Sequence, residues 1–168
     1  MTDSFRRAFV VEVRRRLRDD YLWKIDKVLA RLDEEALWWR PHEGANAIGN
    51  LLLHLAGNLR QWVIHGAGGA RDVRVRDAEF AARGGRTKAE LRALVATTID
   101  EALAVAERLP DEAWLEPRTI QGYRETVLSA VFHAVEHFSG HVGQILYVAK
   151  LRRLAFPPIY GADGSGGP

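Results

Sequence analysis

Phe5, Phe9, Val13, Leu17, Tyr21, Ile25, Val28 and Leu32 recur every three or four residues over nearly thirty positions. That spacing draws one apolar stripe along a long amphipathic helix, and such a helix must bury its stripe against something else. The stripe predicts a helix over residues 3–31. Further segments of helical period follow. Asn46 reads as the cap of a second helix over about 46–65, ended by Gly66 and the Gly68-Gly69 pair. Thr87-Lys-Ala-Glu90 has the form of a capping box and opens a third helix, which Pro110 stops. A fourth runs over about 124–151. Strand signals are weak throughout. The expected fold class is therefore all-α, a four-helix bundle, with long connections over 67–86 and 111–123 that favour an order other than up-down-up-down.

Composition bounds the rest. The chain has 168 residues, 47% of them hydrophobic and 27% charged, which suits one globular domain with a full core. It has no cysteine, so disulfides, thiolate metal sites and a cysteine nucleophile are excluded. Twenty-four basic residues face 22 acidic ones, for a net charge of +2. Arg14, Arg15, Arg16 and Arg18 lie among Glu12, Asp19 and Asp20, which reads as a solvated helix face rather than a nucleic-acid surface. No uncharged run approaches a bilayer span and no leader pattern is present, so the expected setting is cytoplasmic, with no membrane and no nucleic-acid partner. Residues 1–156 are expected to form the domain and 157–168, rich in Gly and Pro, a disordered tail.

The chemistry concentrates in the fourth helix. His133, His137 and His141 are spaced four and four, so their imidazoles stack on one helix face. Adjacent members stand about 40° and about 6 Å apart along the axis, close enough for two of them to share one ion. Three successive turns do not focus easily on one point, so the remaining histidine would orient a ligand or bound water. His54 lies in the second helix within a polar stripe of Asn50, Asn58, Gln61 and His65 that contains no Lys, Asp or Glu. A solvated face would carry such charges, so the stripe points to a wet cleft inside the bundle. Two helices aiming imidazole at one centre would hold a divalent ion, with Asn50, Asn58 and Gln144 available to hydrogen-bond what binds there. All-imidazole ligation suits zinc, nickel, iron or copper.

His133-Ala-Val-Glu136-His137 also matches the inverted zincin pattern, but that reading lacks a downstream acidic ligand. Arg71, Arg74 and Arg76 in the 67–86 connection read as solvated surface arginines.

Three segments together resemble the DinB/YfiT-like superfamily of small bacterial four-helix proteins: Asn46-Ala-Ile-Gly-Asn-Leu-Leu-Leu-His54-Leu-Ala-Gly-Asn58, Arg76-Asp-Ala-Glu-Phe80, and His137-Phe-Ser-Gly-His141-Val-Gly-Gln144-Ile145. The resemblance covers residues 1–156. It implies an up-down-down-up bundle, a homodimer, and a metal triad of His54, His137 and His141, leaving His133 as an accessory residue. Characterised relatives include thiol-dependent transferases and isomerases, so it also implies a metal-dependent hydrolase or a transferase using a small-molecule thiol. The competing expectations are a metal- or small-ligand-binding stress-related protein without turnover, and a structural helical dimer with surface histidines.

Overall fold

The computed structural model describes residues 3–152. The expected Gly/Pro-rich tail at 157–168 lies outside the described residues. Four long helices form the bundle, as the periodicity predicts.

The first long helix begins as α1 (Asp3–Arg14), passes through a π-helical stretch (Arg15–Tyr21) and continues as α2 (Leu22–Leu29). The π stretch has a readable cause. From Phe5 to Ile25 the apolar residues repeat strictly every four positions, and on an ideal α-helix each such step rotates the stripe by about 40°. A turn holding more residues rotates it back. Val13, Leu17, Tyr21 and Ile25 all stay buried as a result, while Phe5 at the end remains exposed. After α3 (Glu34–Leu37), the second long helix starts as α4 (Ile48–Leu59) and ends in another π-helical stretch, Arg60–Ala67. Its cap is Ala47 rather than Asn46. The Asn50 carboxamide oxygen, at 3.1 Å, accepts the Ala47 N–H.

The connection expected to be a plain loop contains α5 (Arg76–Ala81). The third long helix is α6 (Lys88–Arg108), opened by the expected reciprocal box between Thr87 and Glu90. The segment 111–126 is structured more fully than its punctuation predicts. A 3₁₀ turn (Asp111–Leu115) leads into an antiparallel hairpin, β1 (Pro117–Ile120) with β2 (Tyr123–Thr126). Its two-residue turn has Gln121 at φ 53° and Gly122 at φ 82°, the left-handed pair that a tight hairpin of this twist demands. The fourth long helix, α7 (Val127–Leu151), therefore starts three residues later than expected, on a Thr126–Ser129 box.

Contacts along the helices fix their directions. Arg14 pairs with Glu107, Arg18 with Asp100 and Asp26 with Arg92, so the first and third long helices are antiparallel. Arg60 meets Glu101 and Gly68 abuts Val105, so the second and third are parallel. His54 meets His137 while Trp62 meets His133, so the second and fourth are antiparallel. The order is up-down-down-up. A parallel step from the second helix to the third forces the chain back along the length of the bundle, which is why residues 68–87 form so long a connection. The core at the crossing is Leu51, Leu55, Leu59, Leu91, Ile99, Phe138 and Ile145, all essentially inaccessible, with Ala102, Ala130 and Ala134 permitting close approach.

Candidate metal centre

α4 and α7 bring His54, His137 and His141 to one point. The Nε2 atoms of His54 and His137 are 3.1 Å apart, and those of His137 and His141 are 3.2 Å apart. The three ligand atoms all lie within 4.8 Å of one another. Metal–imidazole bonds of about 2.0–2.1 Å set neighbouring nitrogens about 3.0 Å apart around an octahedral ion and about 3.4 Å around a tetrahedral one. The two separations that involve His137 fall between those limits, and the third pair, His54 with His141, lies within 4.8 Å.

The outer nitrogens fit the same purpose. Glu79 Oε2 stands 2.9 Å from His54 Nδ1. With the proton on Nδ1, the carboxylate accepts it and Nε2 presents a lone pair inward. Gln144 Oε1 stands 2.9 Å from His141 Nδ1 and does the same for that ring. His137 Nδ1 is buried with no partner among the described residues. Burial, with the neighbouring imidazoles and Arg74 adding to it, depresses the His137 pKa to about 3. Burial likewise lowers His141, against the opposing pull of Gln144. Both rings are therefore neutral donors at neutral pH, the form a metal requires. The three residues fit a divalent ion in donor type and convergence, and His137 and His141 fit it in protonation state as well.

The support around His54 comes from the connection wrapped over α4. Arg74 is nearly inaccessible and grips Glu79 through two bonds, Nε to Oε1 at 2.7 Å and Nη2 to Oε2 at 2.8 Å. The expectation of a solvated Arg74 is overturned, because the chain 70–82 folds down over the polar stripe and buries it. Burial alone would raise the Glu79 carboxyl, but Arg74 and His54 together hold it below the usual carboxylate range. Gly57 makes room for this pair. A Cβ there would stand 2.0 Å from Glu79 Oε1 and 2.9 Å from Arg74 Nε. The rest of the stripe meets the same segment, with Gln61 and His65 both bonded to Asp72.

Asn58 is buried and lines a cavity of about 340 Å³ beside the centre. His133 lines it too, one turn back from His137 and outside the triad, its ring centroid 4.0 Å from that of Trp62. Asn50 is not placed to reach a bound group. Its oxygen accepts from Arg40 and Ala47, and its amide donates to the carbonyls of Glu79 and Ala82. It ties the α5 segment to α4. Glu136 is exposed on α7 and the converging set is His54, His137 and His141 without His133, which removes the inverted zincin reading.

Glu79 and Arg74 escaped the sequence reading. The signal for them was indirect: an uncharged polar stripe needs a polar cover, and the nearest acid–base pair of residues in sequence lies in the following connection.

A family model described as a protein of unknown function, DUF1572, matches residues 4–155. The chain belongs to the DUF1572 family. Among solved structures, this DUF1572 chain is similar to a DinB-like protein from Bacillus cereus ATCC 10987, with a TM-score of 0.66 and 13% identity over 83% of this chain and 91% of that one. It is also similar to a DinB-like protein from Bacillus subtilis, with a TM-score of 0.63 and 16% identity over 87% of this chain and 94% of that one. The fold is thus DinB-like, as the sequence resemblance implies. No curated protein matches the chain in sequence.

Proposed function

We propose that this protein is a metal-dependent enzyme, with His54, His137 and His141 as ligands of a divalent ion, zinc or nickel in preference to iron or copper. One observation carries the reading: three Nε2 atoms from two helices converge at metal-ligand spacing, and a cavity of about 340 Å³ opens against His54 and His137. A three-ligand site with room beside it is the form that catalytic centres take. Such an ion supplies Lewis acidity, which lowers the pKa of a water or thiol brought to it. The chain's own residues do the rest. Glu79 and Gln144 orient two of the rings, Arg74 fixes Glu79, and Asn58 and His133 offer polar groups along the cavity wall. The reactions this serves are hydrolysis or transfer to a small-molecule thiol.

The second reading, a metal- or ligand-binding protein without turnover, draws on the absence of any carboxylate or histidine hydrogen-bonded to the triad from the cavity side among the described residues. Zinc- or nickel-loaded protein assayed against a panel of thiols and electrophiles separates the two. Turnover that His137→Ala abolishes is the expected result. Persistent inactivity with the metal retained favours the binder.

A further inference from the structure

Arg76 stands apart from the other charges around the centre. It opens α5 and lines the cavity together with His54 and His137. Its guanidinium lies over the Phe80 ring, 4.9 Å from the centroid, and Phe80 packs in turn against His54 at 4.6 Å. Among the described residues it has no carboxylate within ion-pair distance, whereas Arg74, two positions earlier, is gripped by Glu79. Stacking satisfies the face of a guanidinium and leaves its edge donors free for an acceptor.

The charges lining the cavity say what that acceptor is. Arg74 and Glu79 neutralise each other. Glu125, also in the wall, balances Arg76 in formal charge, but its carboxylate is engaged by the Ser129 hydroxyl at 2.5 Å. A divalent ion at the triad then leaves the cavity with two positive charges. A ligand bearing one anionic metal-seeking atom and one further monoanionic group balances them, and a planar carboxylate matches the fork of a guanidinium edge. The size is consistent, because a cavity of about 340 Å³ lies in the range of small-molecule sites. The wall also offers an aromatic surface in Trp62 and a hydroxyl in Tyr123.

We propose that the substrate is a small carboxylate-bearing molecule whose carboxylate is taken by the Arg76 guanidinium while its reactive head faces the three histidines. The proposal rests on the metal-centre reading above, and Arg76 acts in it as a specificity-determining residue.

The test uses cobalt-loaded protein titrated with two thiols of equal length, mercaptoacetate and 2-mercaptoethanol, followed by the thiolate-to-cobalt absorption band. Cobalt content is measured separately in every sample. The expected result is mercaptoacetate bound about tenfold more tightly, the scale of one charge-assisted contact. Arg76→Gln erases that preference with cobalt content unchanged, and Arg71→Gln, on the same connection but outside the cavity wall, keeps it. Equal affinities in the unaltered protein, no binding of either thiol, or a preference that survives Arg76→Gln overturns the proposal. Failure to retain cobalt at all sinks the metal-centre reading instead, and the metal analysis shows which of the two has failed.

Discussion

Glu79 does the most work of any residue outside the triad. Its Oε2 stands 2.9 Å from His54 Nδ1, placed to accept a proton there, and Arg74 Nη2 reaches both that carboxylate, at 2.8 Å, and the same ring nitrogen, at 3.0 Å. Replacing it by Gln keeps the shape but weakens the acceptor and unpairs a buried guanidinium. Loss of such a partner typically costs about 10–100-fold in metal affinity. We expect Glu79→Gln to lower zinc affinity on that scale while the far-ultraviolet circular dichroism stays helical; unchanged affinity counts against the tautomer argument. Acid acts on the same residues. The His137 pKa is depressed to about 3 by burial and its positive surroundings, against an ordinary value of 6.5. Between those values the unfolded chain binds a proton that the folded chain refuses, so stability falls as pH falls through that window. Glu79, held low by Arg74, adds in the same direction at more acid pH. Urea midpoints of metal-free protein should therefore decline steadily from pH 6.5 toward pH 4, and a flat profile contradicts the buried, neutral His137.

At the scale of elements, sequence periodicity located the helices that carry chemistry and missed the ones that cover it. The stripe from Phe5 to Leu32 and the Thr87 box were enough for the first and third helices, because both signals are local. The hairpin at 117–126 was invisible: four-residue strands flanking Gln121-Gly122 carry almost no alternation, and Ile120 gains its burial only from the bundle against which it packs. The α5 segment contributed to the family resemblance but carried no helical signal, since none of its residues is buried and its position depends on Asn50 and Arg40 reaching the backbone of residues 79–82. Within the site, the four-residue histidine spacing and the uncharged polar stripe of α4 were legible, while the carboxylate behind His54 came from a distant connection and was not. Gly57 is the joint between α4 and that connection. Gly57→Ala should improve helix propensity by up to about 1 kcal/mol in isolation. Here its methyl group collides with Glu79, so we expect weaker metal binding with little gain in thermal stability. A variant that binds metal normally shows that the connection can yield.

For the whole molecule, the up-down-down-up order is what makes the centre possible. It sets the second and fourth helices side by side and antiparallel, so His54 faces the middle of α7, and it sends the connection after α4 back across the polar stripe. Among the described residues no helix is long and apolar enough to cross a membrane. A ligand bound only by the folded state stabilises it by about 2.7 kcal/mol at a hundredfold excess over its dissociation constant. For a domain of this size that corresponds to a rise of roughly 5–10 °C in melting temperature. Chelation should reverse the rise, and His141→Ala should not show it. A melting temperature indifferent to both metal and chelator removes any structural coupling between ion and bundle.

The most direct measurement is zinc binding by calorimetry on protein prepared without a metal-affinity step, compared with His54→Ala. The account predicts one ion per chain in the unaltered protein, and at least a hundredfold loss of affinity when the single imidazole of α4 is removed, although His137 and His141 are untouched. One-to-one binding of equal strength in the two proteins would contradict it, because the ion would then belong to α7 alone.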